Sequence, residues 1–353
     1  MEYNLILIAI AIGVALILIG AGASALKSGE GSGLHMSQGI LGIHHITAMA
    51  GAAQKNVDFY VGVLGLRLVK KTVNFDAPDV YHFYYGDTVG NPGTIMTFFP
   101  FGEGPRGTSG AGQATVTSFS IRHESIEFWT QRLKEHGVSF SGPEERSHQR
   151  QVILFRDPDG VALELVAHEG ADSRPGWEDG PVPSEHAIRG FYSVTVKVRN
   201  HAPTFALLTE VMGFRLLEEV GQRYRYEVGE GGAGTIIDVI RQQDAPYGRN
   251  AIGTIHHVAW RVANEDELLQ WQSKLRGAGM RVTEVRDRNY FKSIYFREPG
   301  GVLFELATDP PGFAIDESVE TLGTDLKLPE WLESSRSQLE AQLPPIQSPT
   351  IAR

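Results

Sequence analysis

The sequence predicts an α+β protein of four βαβββ modules, arranged as two barrel-like pairs, with a candidate N-terminal transmembrane helix. Three observations predict it: two internal repeats, and one stretch, Thr254–Thr308, that reads as a whole module. This stretch opens with TIHHVAWRV and closes with YFREPGGVLFELAT. Both ends are rich in β-branched and aromatic residues, as strands are, and a Pro-Gly-Gly turn leads into the second. Between them Glu265–Gly279 carries Leu268, Leu269, Trp271 and Leu275 at helical spacing. The order is strand, helix, then returning strands.

The repeats extend this module over the chain. GIHHITAMAGAAQKNVDFYVGVLGLRLVKK, from Gly42, matches GFYSVTVKVRNHAPTFALLTEVMGFRLLEE, from Gly190. FRDPDGVALEL, from Phe155, matches FREPGGVLFEL, from Phe296. Four modules result, at about 42–100, 114–168, 190–243 and 254–308. Gly102–Gly112 and Glu169–Pro183 are the linkers, rich in Gly, Pro, Ser and Asp. In chain order the modules group as a first domain, 36–168, and a second, 184–308.

Composition removes several functions. A net charge of -10 argues against a nucleic-acid partner, which demands a basic face. There is no cysteine, so disulfides, thiolate zinc sites and cysteine nucleophiles are excluded. Any metal is held by nitrogen and oxygen. At the N-terminus, Leu5–Leu26 is uncharged, apolar and long enough to span a bilayer, which needs roughly 20 such residues. MEYN has no positive charge and the run is long, so a cleavable signal fits less well. Lys27 weakly favours a cytoplasmic side for the chain beyond it. SGEGSGLHMSQG is a flexible linker, and His35-Met36 resembles a cloning scar, so 1–35 reads equally as an anchor or as a fusion. The expected location is cytoplasmic, with a membrane tether if the anchor is native.

Equivalent positions of the modules can be compared. In the first strands, modules 1 and 4 carry His45 and His257, where an ungapped alignment puts Ser118 and Ser193 in modules 2 and 3. In the last strands stand Thr97, Glu164, Asp238 and Glu305. Only modules 1 and 4, facing each other, bring two imidazoles and a carboxylate together. His45, His257 and Glu305 then form a two-histidine, one-carboxylate face, which suits non-haem Fe(II) and leaves positions open. A carboxylate inside Val-Leu-Phe-Glu-Leu needs a partner in any case, because burying it alone costs several kcal/mol or more. A lone core histidine is usually an inert, hydrogen-bonded one; two at equivalent repeat positions are harder to dismiss. His44 and His256 precede these ligands, and strand pleating sends them to the opposite face as packed histidines. Arg288 and Tyr295 read either as a loop charge and a strand aromatic, or as a cation and a phenol beside an anionic substrate.

GIHHIT, KKTVNFDAPDVYHFYYGD, GNPGTIMTFFP, TIHHVAW, DRNYFKSIYFREPGGVLFELATDPPGF and Asp316-Glu317 resemble the vicinal oxygen chelate (glyoxalase/extradiol dioxygenase) superfamily, and within it the dioxygenases that open hydroquinones. The resemblance runs from about Met36 to at least Glu317, and Met1–His35 has no counterpart in it. It implies Fe(II), with Mn(II) as the other ion, on His45, His257 and Glu305. It also raises Arg288, Tyr295, Thr47 and His256 to catalytic candidates. The implied reaction opens the ring of an aromatic diol beside a hydroxyl, with dioxygen as co-substrate. Arg288 and Tyr295 would stabilise the oxyanion and move the proton, and Thr47 would orient substrate or water.

Two rival classes use the same modules. A glyoxalase-type isomerase or lyase generally places a fourth ligand, a carboxylate, where this chain has Thr97. A metal-free binding or resistance protein has no use for the His/His/Glu set. The tail, Asp309–Arg353, has no module pattern. PEWLESSRSQLEAQL predicts one short helix from Pro329 to Pro344, packing Trp331, Leu332, Leu339 and Leu343 on the barrels, with a homo-oligomer interface as the alternative.

Overall fold

The structure is a computed structural model and describes residues 39–146, 150–168 and 174–347. In it each repeat folds as a strand, a helix and three returning strands. Module 1 comprises β1 (Gly42–Ala50), α1 (Ala53–Val57, continued by a π-helix over Asp58–Val63), β2 (Arg67–Asn74), β3 (Ala77–Gly86) and β4 (Ile95–Pro100). Module 2 has β5 (Gln113–Arg122), α2 (Ile126–Glu135), β6 (Phe140–Arg146), β7 (Arg150–Arg156) and β8 (Ala162–His168). Module 3 has β9 (Phe191–Val198), α3 (Ala202–Ala206, continued by a π-helix over Leu207–Val211), β10 (Arg215–Val220), β11 (Arg223–Glu227) and β12 (Ile236–Arg241). Module 4 has β13 (Ile255–Val262), α4 (Glu265–Gly277), β14 (Arg286–Asp287), β15 (Phe291–Arg297) and β16 (Leu303–Pro311).

Helix α4 shows how local chemistry sets these elements. The Asn264 side chain accepts from the Glu267 backbone N–H at 3.0 Å and so caps the first turn. Glu265, Asp266 and Glu267 sit at its positive end, Lys274 and Arg276 at its negative end. Leu268, Trp271 and Leu275 are buried beneath it, each worth about 1.5–3 kcal/mol in apolar transfer. Leu269 falls off that face and is 46% exposed. The helix stops two residues before Gly279, whose φ of +83° suits the chain reversal there.

Two eight-stranded sheets result, each curled into a half-barrel. One runs β14-β15-β16-β13-β1-β4-β3-β2, the other β10-β11-β12-β9-β5-β8-β7-β6. Modules 1 and 4 therefore share one sheet and modules 2 and 3 the other. The partners are joined edge to edge, through antiparallel β1–β13 and β5–β9 pairs, rather than face to face.

These central pairs carry the fold's most informative irregularity. The β1–β13 register skips His44 and His256, and the β5–β9 register skips Thr115 and Tyr192. Four β-bulges thus occupy equivalent places, each immediately before the position that holds His45, Val116, Ser193 or His257. Parallel pairing agrees: Glu305 lies beside Ala259, Thr97 beside Thr47, Asp238 beside Thr195 and Glu164 beside Ser118. The histidine position of module 2 is therefore Val116. The ungapped choice of Ser118 was two residues late, and Ser118 corresponds to Thr47 and Ala259.

The tail helix divides into α5 (Glu330–Glu333) and α6 (Arg336–Gln342), with Leu339 and Leu343 buried. Trp331 is 58% exposed and lies edge-on to Phe75, 5.5 Å between ring centroids. The Leu5–Leu26 segment lies outside the described residues. Among the described residues no helix is long and apolar enough to cross a membrane.

Candidate metal centre and pocket

Strand β1 brings His45, β13 brings His257 and β16 brings Glu305 to one point. Glu305 Oε2 is 2.9 Å from His257 Nε2 and 3.3 Å from His45 Nε2, and the two Nε2 atoms are 3.2 Å apart. All three residues are buried, and the three donor atoms lie within 4.8 Å of one another. Apart from the two imidazoles, neither Glu305 oxygen has a hydrogen-bond partner among the described residues. Burial alone would raise the Glu305 pKa, but the fields of His45 and His257 outweigh it and hold the group well below the usual carboxylate range. A buried, ionised carboxylate without backbone donors calls for a cation.

The two leading histidines complete the arrangement. The bulges turn each toward its neighbour rather than to the opposite face, which corrects the expectation from regular pleating. His44 Nδ1 meets His45 Nδ1 at 2.9 Å, and His256 Nδ1 meets His257 Nδ1 at 2.7 Å. His44 Nε2 donates to the Thr308 carbonyl at 3.1 Å, which leaves its Nδ1 as acceptor. His45 then carries a proton on Nδ1, and with a metal ion in the triad its Nε2 would be the bare, ligating nitrogen. Burial, then the neighbouring His45, lowers the His44 pKa to about 3; burial, then His257, does the same for His256. Both are neutral, as such supporting roles require.

Above this triad is a cavity of about 230 Å³. For scale, an engineered apolar cavity of about 150 Å³ holds benzene. Thr47, His256, Arg288 and Tyr295 all line it, so these four candidates and the triad meet at one site, where Glu305 contacts His45 and His257. Tyr295 lies beside Glu305 in the β15–β16 register, with its ring edge-on to His257 at 5.8 Å. Its hydroxyl oxygen accepts from Arg288 Nε at 3.2 Å and from Ser293 Oγ at 3.2 Å, which leaves the phenol proton free to point into the cavity. Burial and the field of Glu305 push the Tyr295 pKa up, so the phenol stays protonated.

Sequence reasoning missed the contribution of the β2–β3 hairpin: Asp76, His82 and Tyr84 also line the cavity. The alternation of His82 and Tyr84 on one strand face was the available signal. Phe75, Phe99, Phe101 and Phe291 make the remaining walls aromatic. The equivalent place in the other sheet is neutralised by guanidinium groups. Arg225 grips Asp238 through two hydrogen bonds of 2.8 and 2.7 Å, while Arg146 and Ser118 bind Glu164 at 2.8 and 2.7 Å.

Fold and site together define a class: the chain belongs to the Glyoxalase/Bleomycin resistance protein/Dioxygenase superfamily, whose model matches residues 42–165 and 190–306, and within it to the ring-cleaving dioxygenases. It is 44% identical over 314 residues to the "Putative ring-cleaving dioxygenase MhqO" of Bacillus subtilis, covering 88% of this chain and 98% of that protein. It is 36% identical over 314 residues to the chlorohydroquinone/hydroquinone 1,2-dioxygenase of Sphingobium indicum, covering 87% of this chain and 97% of that one. The crystal structure of a "putative dioxygenase" from Bacillus subtilis superposes with a TM-score of 0.84 at 43% identity, over 89% of this chain and 99% of that one.

Proposed function

We propose that this enzyme opens the rings of hydroquinones with dioxygen, using Fe(II), or alternatively Mn(II), held by His45, His257 and Glu305. The observation that carries the reading is the convergence of two imidazole Nε2 atoms and an otherwise unpartnered buried carboxylate beneath a ring-sized aromatic cavity. When bound, such an ion activates dioxygen and the diol by holding both and relaying electron density between them. The chain's own residues do the rest. Phe75, Phe99, Phe101 and Phe291 would sandwich the ring and exclude water. The Tyr295 phenol would hydrogen-bond to a substrate oxygen, give that oxygen its proton as charge develops there and take a proton back before the next turnover, with Arg288 holding its oxygen in place. His256, with Nδ1 engaged by His257, would offer Nε2–H to the cavity. Thr97 at the position equivalent to Glu305 leaves no carboxylate to serve as a fourth ligand, which disfavours the glyoxalase-type reading.

We also propose 36–168 and 184–308 as the duplicated units, and, on composition alone, 1–35 as either a tether through Leu5–Leu26 or a fusion segment. The test of function is direct. Protein purified without oxygen should carry one iron or manganese per chain and consume oxygen with hydroquinones in preference to catechols. Metal-free protein that is fully active, or activity on neither diol class, would overturn the reading.

A further inference from the structure

Four side chains form a single line of hydrogen bonds that ends in the cavity. Tyr84 Oη lies 3.0 Å from His82 Nδ1, and His82 Nε2 lies 3.0 Å from Thr97 Oγ1. Thr97 Oγ1 lies 2.8 Å from Thr47 Oγ1. Thr47 and Thr97 are fully buried, and Tyr84 is 1% exposed. Thr47 is adjacent to the triad on two sides, two residues after His45 on β1 and opposite His257 on β13.

The line has a direction. His82 is the one hydrogen-bond partner of the Tyr84 phenol among the described residues, and because a phenol is a strong donor and a poor acceptor the favoured direction is from Tyr84 Oη to His82 Nδ1. Burial keeps His82 neutral, so its one proton is on Nε2 and is donated to Thr97 Oγ1. The Thr97 proton then goes to Thr47 Oγ1. Thr47 has its acceptor site filled and its own proton free, in a cavity where it has no protein acceptor among the described residues.

Resting on the proposed ring-opening function, we infer that Tyr84, His82 and Thr97 are positioning residues that lock the Thr47 hydroxyl as a hydrogen-bond donor toward a substrate oxygen at the triad. The identity of residue 97 is what sets this polarity. A carboxylate there, in the place Glu305 has in β16, would accept from both Thr47 and His82 and turn the Thr47 proton away from the cavity. A threonine passes the direction on. The line is therefore suited to a substrate that presents a deprotonated oxygen to this wall, as a singly ionised hydroquinone does.

Two measurements test the inference independently of turnover. The first is the His82 tautomer, read from ¹⁵N-histidine NMR and assigned by its loss in His82→Asn. Nε2–H is expected in the parent protein, with mixed tautomers in Tyr84→Phe; an Nδ1–H tautomer in the parent overturns the direction. The second is hydroquinone affinity without oxygen, by calorimetry on metal-loaded protein. Thr47→Val and Thr97→Val should each weaken binding by about 10-fold, the scale of one hydrogen bond to a charged group. The double variant should match either single one, because both remove the same donor. Thr97→Ser should restore binding to within about 2-fold, and metal content should be unchanged throughout. Unaltered affinity in Thr97→Val, or additive losses in the double variant, overturns the role. If the parent binds the diol with this pattern yet opens no ring, the functional reading fails and the donor line stands.

Discussion

Arg288 Nη2 meets Asp76 Oδ2 at 3.1 Å, an ion pair that joins the fourth module to the β2–β3 turn of the first across the mouth of the cavity. Asp76 is largely exposed, so the pair contributes at most about 1 kcal/mol to stability. Its consequence is electrostatic. Asp76 occupies part of the Arg288 guanidinium and sets a negative charge at the entrance. Asp76→Asn should leave the melting temperature nearly unchanged and lower KM for carboxylated hydroquinones relative to methylated ones, by about 3- to 10-fold, the worth of a partly screened charge. Steady-state oxygen uptake on matched substrates checks this, and an unchanged KM ratio would remove Asp76 from substrate selection.

Metal binding should follow the triad and ignore its counterparts in the other sheet. His45→Ala, His257→Ala and Glu305→Ala should each abolish metal binding and turnover, whereas Val116→Ala and Ser193→Ala should do neither. Chelation should lower the melting temperature of the parent, since a cation at 100 times its Kd stabilises the folded state by about 2.7 kcal/mol. Metal analysis and thermal denaturation distinguish the two sets. Retained metal in Glu305→Ala would show that the carboxylate is not needed to hold the ion.

How much of this was written in the chain depends on the scale of the signal. Module repetition and the His/His/Glu set were legible because a repeat compares positions against one another, and a histidine against a serine is a plain contrast. The bulges at His44, Thr115, Tyr192 and His256 were not. A bulge is a local backbone event, and the alternation rule assumes that none exists, so His44 and His256 were assigned the wrong face and Ser118 the wrong position. The roles of His82, Tyr84 and Asp76 depend on which sheet the β2–β3 hairpin joins, a long-range fact that no short window of sequence carries.

Asp157 gives a pH prediction away from the metal. It is buried in the β7–β8 turn, accepting from the Asp159 and Val161 backbone at 2.9 and 2.8 Å and from Tyr60 Oη at 3.2 Å. Burial raises its pKa from 3.8 to about 6, despite those donors. An acid whose folded pKa exceeds its unfolded one binds protons better when folded. Its penalty is absent below pH 3.8, grows between pH 3.8 and about 6, and is fully present above that. Asp157→Asn keeps an acceptor oxygen and removes the charge, so it should stabilise the protein at pH 7–8 by roughly 1–3 kcal/mol and have little effect near pH 4. Denaturant unfolding at both pH values measures it; a loss of stability at pH 8 would mean that the ionised form is the one the turn requires.

The choice between ring types rests on Tyr295. A catechol chelates a metal through two adjacent oxygens, so the ion alone fixes most of its geometry. A hydroquinone has its hydroxyls on opposite sides of the ring and can offer the ion only one. The ring must then be held by the protein, and the aromatic walls with one aimed phenol supply what is needed. Arg288 Nε and Ser293 Oγ both donate to the Tyr295 oxygen, so the phenol proton has nowhere to go but the cavity. Tyr295→Phe removes that proton and leaves the ring edge-on to His257. Hydroquinone turnover should fall by about 10²–10⁴-fold, the usual scale for a positioned acid or base. Any catechol turnover should fall far less, and metal content should not change because Tyr295 is no ligand. Oxygen uptake by parent and variant on methyl- or chloro-substituted hydroquinones and the matching catechols decides it. Parental preference for catechols, or full hydroquinone activity in Tyr295→Phe, would place the acid–base function on another group, and His256 would be the next to test.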